Sequence, residues 1–207
     1  MSKLINDILR SQESNIQLKI GLYFGTFNPI HIGHMAIANY MVEFTDIDQL
    51  WFVVSPQNPH KKKKNLLNDY DRLEMVYQAV GNDHRIRVSD IEYHMPKPSY
   101  TVDTLAWLKD RFPSYEFRII MGSDNLENFH KWKNYEIIVE NYGVIVYPRP
   151  GSDQSKYKEH QNVQFTDAPQ MEISSTFIRK AVKDGKDVRY FLPLKTWEYI
   201  EKMGFYR

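Results

Sequence analysis

Two hydrophobic rhythms alternate along the chain. Short continuous apolar runs, Leu50-Trp51-Phe52-Val53-Val54 within Gln49–Ser55 being the clearest, have the pattern of strands buried on both faces. Similar runs occur at Ile20–Phe24, Arg85–Ser89, Glu116–Met121, Tyr142–Tyr147 and, more briefly, Asn162–Phe165. Between them the spacing changes to that of helices: Ile30, Ile37, Met41 and Phe44, then Leu73, Val76, Tyr77 and Val80, then Val102, Leu105, Leu108 and Phe112. Strand and helix in strict alternation predict an α/β fold, an open parallel sheet with helices on both faces. At the end, Trp197, Ile200 and Met203 predict a small C-terminal helical layer, and Leu4, Ile5, Ile8 and Leu9 a short amphipathic helix ahead of the first strand. The organisation expected is an N-terminal helical extension over 1–15 and a single domain over 16–207, helical from about 172.

Composition narrows the setting. The 207 residues suit one substantial core, and the net charge of +1 gives no reason to expect a nucleic acid or membrane partner. With no cysteine, disulfide and thiolate chemistry are excluded. No run is long enough to span a bilayer and no secretory signal is present, so a cytoplasmic location is expected.

The candidate chemistry gathers where strands end. Gly25 closes the first strand, Asn28-Pro29 forces a turn, and a helix opens directly afterwards, so its free amides and positive dipole end point out of the sheet's carboxyl edge. His31 and His34, three apart, face the same way and can reach one phosphate, and Gly33 keeps the wall between them low. A metal half-site is the other reading of such a pair, but no cysteine or suitably spaced carboxylate accompanies it. His60 and Lys61 open a basic cluster in the loop after the second strand, at the same predicted edge; the plain alternative is a solvated loop. Ser99 or Thr101 is expected to cap the third long helix, and Arg72 to lie on the exposed side of the second as a structural ion-pair residue. Asp124, after Gly122 at the end of a strand, suits a helix cap or a ribose contact. In Ile173-Ser174-Ser175-Thr176-Phe177-Ile178-Arg179 the hydroxyls cap a helix, leave its first amides free, and place Arg179 one turn on along the same side.

Gly25-Thr26-Phe27-Asn28-Pro29-Ile30-His31-Ile32-Gly33-His34 resembles the signature of the HIGH-type nucleotidyltransferases, with Asn28 where Asp is more usual in bacterial members. The Ile-Ser-Ser-Thr-x-Ile-Arg stretch resembles the same family's second motif, and Pro59-His60-Lys61, Ser99-Tyr100-Thr101 and the spacing from Asp124 to Trp132 resemble its nicotinate-nucleotide adenylyltransferase members. The resemblance, running from Lys19 to near Phe205, implies a Rossmann-like nucleotidyltransferase domain. It implies that His31, His34 and Arg179 are catalytic. ATP would lie against Gly25, Thr26, Phe27, Gly33, Gly122, Asp124, Ser175 and Thr176 together with those three. Nicotinate mononucleotide would meet His60, Lys61, Tyr100, Thr101, Trp132 and, as a second-tier phosphate contact, Arg149. Mg2+ would accompany the ATP, bound by its phosphates and water, with no metal ligands on the protein; a homo-oligomer is left open. Nicotinamide mononucleotide or a pantetheine phosphate as acceptor, and a non-catalytic nucleotide sensor on the same fold, stay as alternatives.

Overall fold

The computed structural model describes residues 17–56, 66–152 and 157–207; the expected helix over 1–15 lies outside them. Six parallel strands form one sheet: β1 (Lys19–Gly25), β2 (Gln49–Val54), β3 (Ile86–Ser89), β4 (Glu116–Gly122), β5 (Val144–Tyr147) and β6 (Val163–Phe165), in the order β3-β2-β1-β4-β5-β6. The expected parallel α/β sheet is the one observed. The order reverses between β1 and β4, and at such a switch point connections leave toward opposite sides and open a crevice at the strands' carboxyl ends.

Each face carries its own core, because side chains alternate along every strand. On one face Tyr23, Phe52, Val54, Ile120 and Ile145 pack beneath α1 (Ile32–Phe44) and α2 (Asp69–Val80). On the other, Ile20, Leu22, Trp51, Val53, Phe117 and Ile119 pack with α3 (Thr101–Arg111), α4 (Ser123–Glu127) and α5 (Tyr135–Asn141). The C-terminal helices α6 (Ser175–Lys183) and α7 (Leu194–Met203) join the first core through Ile178, Val182 and Ile200. Thr196 fastens α7 to α2 by donating its hydroxyl to the Met75 carbonyl at 3.2 Å.

Three expectations need correction. Phe44, Tyr77 and Met203 are exposed, Phe44 and Met203 because each is the last residue of its helix. In α2 the buried residues are Arg72, Leu73, Met75 and Val76, so the inward face is turned toward Arg72 and away from Tyr77. Neither Ser99 nor Thr101 caps α3; Tyr100 holds the N-cap position and makes no side-chain cap bond.

Candidate active site

The loop after β1 is held tightly. Phe27 has φ of 44° and folds its ring back over Gly25, where an added Cβ would lie 2.7 Å from the ring's Cζ. Gly25 is therefore required by the phenylalanine, and Thr26 bridges the two. His31 is the N-cap of α1 and His34 its third residue; the rings stack with centroids 3.7 Å apart and planes 21° from parallel. The His31 backbone N–H donates to His34 Nδ1 at 3.2 Å, so that nitrogen is an acceptor and the His34 proton sits on Nε2. Gly33 serves the pair in an unforeseen way: a Cβ there would come within 3.0 Å of His31 Nδ1, so its smallness makes room for the imidazole.

Arg179 is brought to this loop from 151 residues away in sequence. Its Nη1 donates to the Asn28 carbonyl at 2.7 Å and its Nη2 to Thr176 Oγ1 at 3.2 Å. Ser175 donates to the Pro29 carbonyl at 2.8 Å, while Ser174 caps α6 by accepting from Phe177 N–H at 3.1 Å. The start of α6 is thereby stitched to the histidine loop, and the two motifs face one rim of the sheet.

A cleft open to solvent is lined by Tyr23, His31, Gly33, His34, Tyr147 and Arg149 among others. Burial, aided by the nearby Arg149 charge, lowers the His31 pKa to about 4, so its ring is neutral at pH 7. The cleft floor holds a buried hydroxyl pair, Tyr23 and Tyr147, 3.0 Å apart, both pushed upward by burial and so protonated. Arg149 Nε lies 3.8 Å from Asp124 Oδ1, and Nη1 donates to the Met171 carbonyl at 3.3 Å. An added Cβ on Gly122 would crowd Arg149 Cγ at 2.9 Å, which explains a glycine at the end of β4. Arg149, expected as a phosphate contact for the mononucleotide, lies beside His31 and Asp124.

A second cluster lies across the β4 end. Trp132 is half-buried, edge-on to Phe129 with centroids 5.4 Å apart. Tyr100 carries the Lys133 ammonium 4.7 Å above its ring, and Lys133 pairs with Asp103 at 2.9 Å. Thr101 opens α3 beside them, where first-turn amides favour an anion. Below, Glu92 is buried and accepts from Thr104 Oγ1 at 2.8 Å; burial raises its pKa against the pull of neighbouring hydroxyls. His60 and Lys61 lie outside the described residues.

Arg72 is the structural ion-pair residue expected, but it lies inside the fold and not on the exposed side of its helix. Fully buried, it donates to the carbonyls of Thr26 at 2.7 Å, Ser55 at 2.8 Å and Leu67 at 3.2 Å, and pairs with Asp69 at 2.6 Å. It ties the ends of β1 and β2 to α2. Its position on the stripe with Met75 and Val76 was the available signal, outweighed by the expectation that a charge lies outside.

Residues 22–181 match the cytidylyltransferase-like family. The chain is 54% identical over 192 residues to a probable nicotinate-nucleotide adenylyltransferase of Flavobacterium johnsoniae, covering 92% of this chain and 100% of that one. A protein of the same description from Bacteroides thetaiotaomicron is 46% identical, covering 94% and 96%. In fold, the chain is similar to Plasmodium falciparum nicotinic acid mononucleotide adenylyltransferase complexed with NaAD, with a TM-score of 0.79, 24% identity, and 92% and 98% of the two chains covered.

Proposed function

This chain belongs to the cytidylyltransferase-like nucleotidyltransferases, among the nicotinate-nucleotide adenylyltransferases, and from that premise we propose that it transfers AMP from ATP to nicotinate mononucleotide, releasing pyrophosphate. The product is nicotinate adenine dinucleotide, a precursor of NAD. The observation that carries the reading is the 2.7 Å bond from Arg179 to Asn28, which sets a guanidinium and two imidazoles on one rim.

The mononucleotide's own phosphate oxygen attacks the α-phosphorus of ATP, and the bond to the β-phosphate bridging oxygen breaks as pyrophosphate leaves. No protein nucleophile takes part, so the protein aligns the two phosphates and stabilises charge. His34 aims its Nε2–H at an α-phosphate oxygen, while His31 contributes as a neutral imidazole. Arg179 has its Nη1 and Nη2 engaged by protein oxygens, which fixes its plane; its remaining N–H groups, with the backbone N–H groups of Ser175 and Thr176 and the Thr176 hydroxyl, receive the departing pyrophosphate. Gly25, Thr26, Phe27 and Gly122 form the backbone wall for the nucleotide, and Asp124 accepts from the ribose. Arg149 lies near enough to His31 to add positive potential at the α-phosphate.

Trp132 stacks on the pyridine, and Tyr100 with Thr101 presents a helix start to its carboxylate, which favours nicotinate over the neutral amide. His60 and Lys61 are assigned to the mononucleotide phosphate on resemblance alone. Mg2+ would enter as the metal complex of ATP, bound by phosphate oxygens and water. Residues 16–207 act as one domain, since strands and C-terminal helices share a core.

Pyrophosphate release with ATP and, in turn, nicotinate mononucleotide, nicotinamide mononucleotide and a pantetheine phosphate tests the reading. Release with the first alone, or far faster with it, is expected. Preference for either of the others, or ATP binding without release, would overturn it.

A further inference from the structure

Resting on the adenylyltransferase reading, we infer that Tyr206 is a positioning residue for the transfer, because its phenol locks Asn28 and so seats Arg179. Tyr206 Oη donates to Asn28 Oδ1 at 2.9 Å, and the Leu67 N–H donates to the same atom at 3.3 Å. Two donors converging on one atom identify it as the amide oxygen and hold the side chain from two directions. The carbonyl of the same residue is the acceptor for Arg179 Nη1. Asn28 thus couples the C-terminal segment on one side to the leaving-group guanidinium on the other.

The way the tyrosine reaches that oxygen supports a demanding role. It sits at φ of 67°, in the left-handed region that a bulky side chain occupies at a cost, two residues after the chain reverses at Gly204. Such a conformation persists only where its surroundings over-determine it. Here α7 is pinned by Thr196 to Met75 and by the Tyr199 hydroxyl to Asp71 Oδ1 at 3.1 Å, and the Phe205 ring meets Tyr199 edge-on at 5.6 Å. Burial holds the phenol in its protonated, donating form, with Arg179 and Arg72 both close to it. The strained turn delivers one hydroxyl to one oxygen of the histidine loop.

Tyr206→Phe removes that hydroxyl and nothing else. Wild type, Tyr206→Phe, Arg179→Lys and the double variant are compared by pyrophosphate release from ATP and nicotinate mononucleotide, varying each substrate, with thermal midpoints alongside. Tyr206→Phe is expected to lower kcat about fivefold, the scale of one neutral hydrogen bond, and to raise KM for ATP while leaving KM for the mononucleotide unchanged. In the Arg179→Lys background the same change should alter turnover by less than about twofold, because residues acting through one another are non-additive. Turnover of Tyr206→Phe equal to wild type, or the full loss repeated in the Arg179→Lys background, or both KM values rising together with a fallen midpoint, would overturn the positioning role. Wild type inert toward this substrate pair would overturn the adenylyltransferase reading and this inference with it, whereas an active wild type matched by Tyr206→Phe sinks the inference alone.

Discussion

Replacing His34 separates helix capping from catalysis, because its two ring nitrogens have different tasks. Nδ1 accepts the His31 N–H at 3.2 Å, and Nε2–H is the proposed donor to the α-phosphate. Alanine removes both, asparagine can place an oxygen near the Nδ1 position, and glutamine can place an amide donor near Nε2. Losing the local acceptor should cost about 1 kcal/mol of stability. Losing one preorganised donor at developing charge should cost about 3 kcal/mol in the barrier, roughly a hundredfold in turnover. His34→Ala is therefore expected to lose both quantities, His34→Asn to keep stability while turning over as slowly as alanine, and His34→Gln to recover part of the rate. Steady-state pyrophosphate release at saturating substrates measures the first, urea unfolding the second. Near wild-type turnover by His34→Asn would refute the argument, since capping would then be the histidine's whole contribution.

The depressed His31 pKa also predicts a pH effect. The unfolded state binds the proton below about pH 6.5, while the folded state resists it until about pH 4, so this group's stabilisation is full above the first value and is lost on acidification between the two. The loss amounts to about 3 kcal/mol, and urea unfolding at pH 7.5 and 4.5 should show a shallower drop in His31→Gln; identical drops would remove His31 as the cause. For Trp132→Ala, KM for the mononucleotide should rise by about tenfold, as expected for one lost stacking contact, with KM for ATP little changed; equal rises would make the indole structural. Arg72→Met leaves the carbonyls of Thr26, Ser55 and Leu67 without their donor while Asp69 keeps Lys97 at 3.2 Å, and an unfolding free energy lower by about 3 kcal/mol is expected. A loss below about 1 kcal/mol would mean that water or neighbouring groups replace the guanidinium at little cost.

The proposed preference for nicotinate is set at the second cluster. Tyr100, Thr101 and Trp132 share one neighbourhood, and Lys133 places a cation over the Tyr100 ring beside the start of α3. The helix start suits an anionic ring substituent, and the Lys133 ammonium offsets the Asp103 carboxylate that it pairs with at 2.9 Å. Comparing nicotinate with nicotinamide mononucleotide in Lys133→Met would show whether the ammonium contributes to the choice.

Much of this protein is written in local patterns. Parallel strands buried on both faces must be apolar throughout, so β1, β2, β4 and β5 stand out from the composition around them. The glycine turn, the histidine pair and the serine-rich helix start are short-range devices, readable because each is complete within ten residues. What only the tertiary structure decided involves partners distant in the chain. Arg72 is buried because the backbone oxygens that surround it, from Thr26, Ser55 and Leu67, exist together only once β1, β2 and α2 have assembled. Arg149 joins His31 because β1 and β5, the strands that precede them, flank β4 in the sheet. Tyr206 reaches Asn28 across 178 positions, a contact that no periodicity encodes, since it comes from packing α7 on α2 and turning the chain back at Gly204.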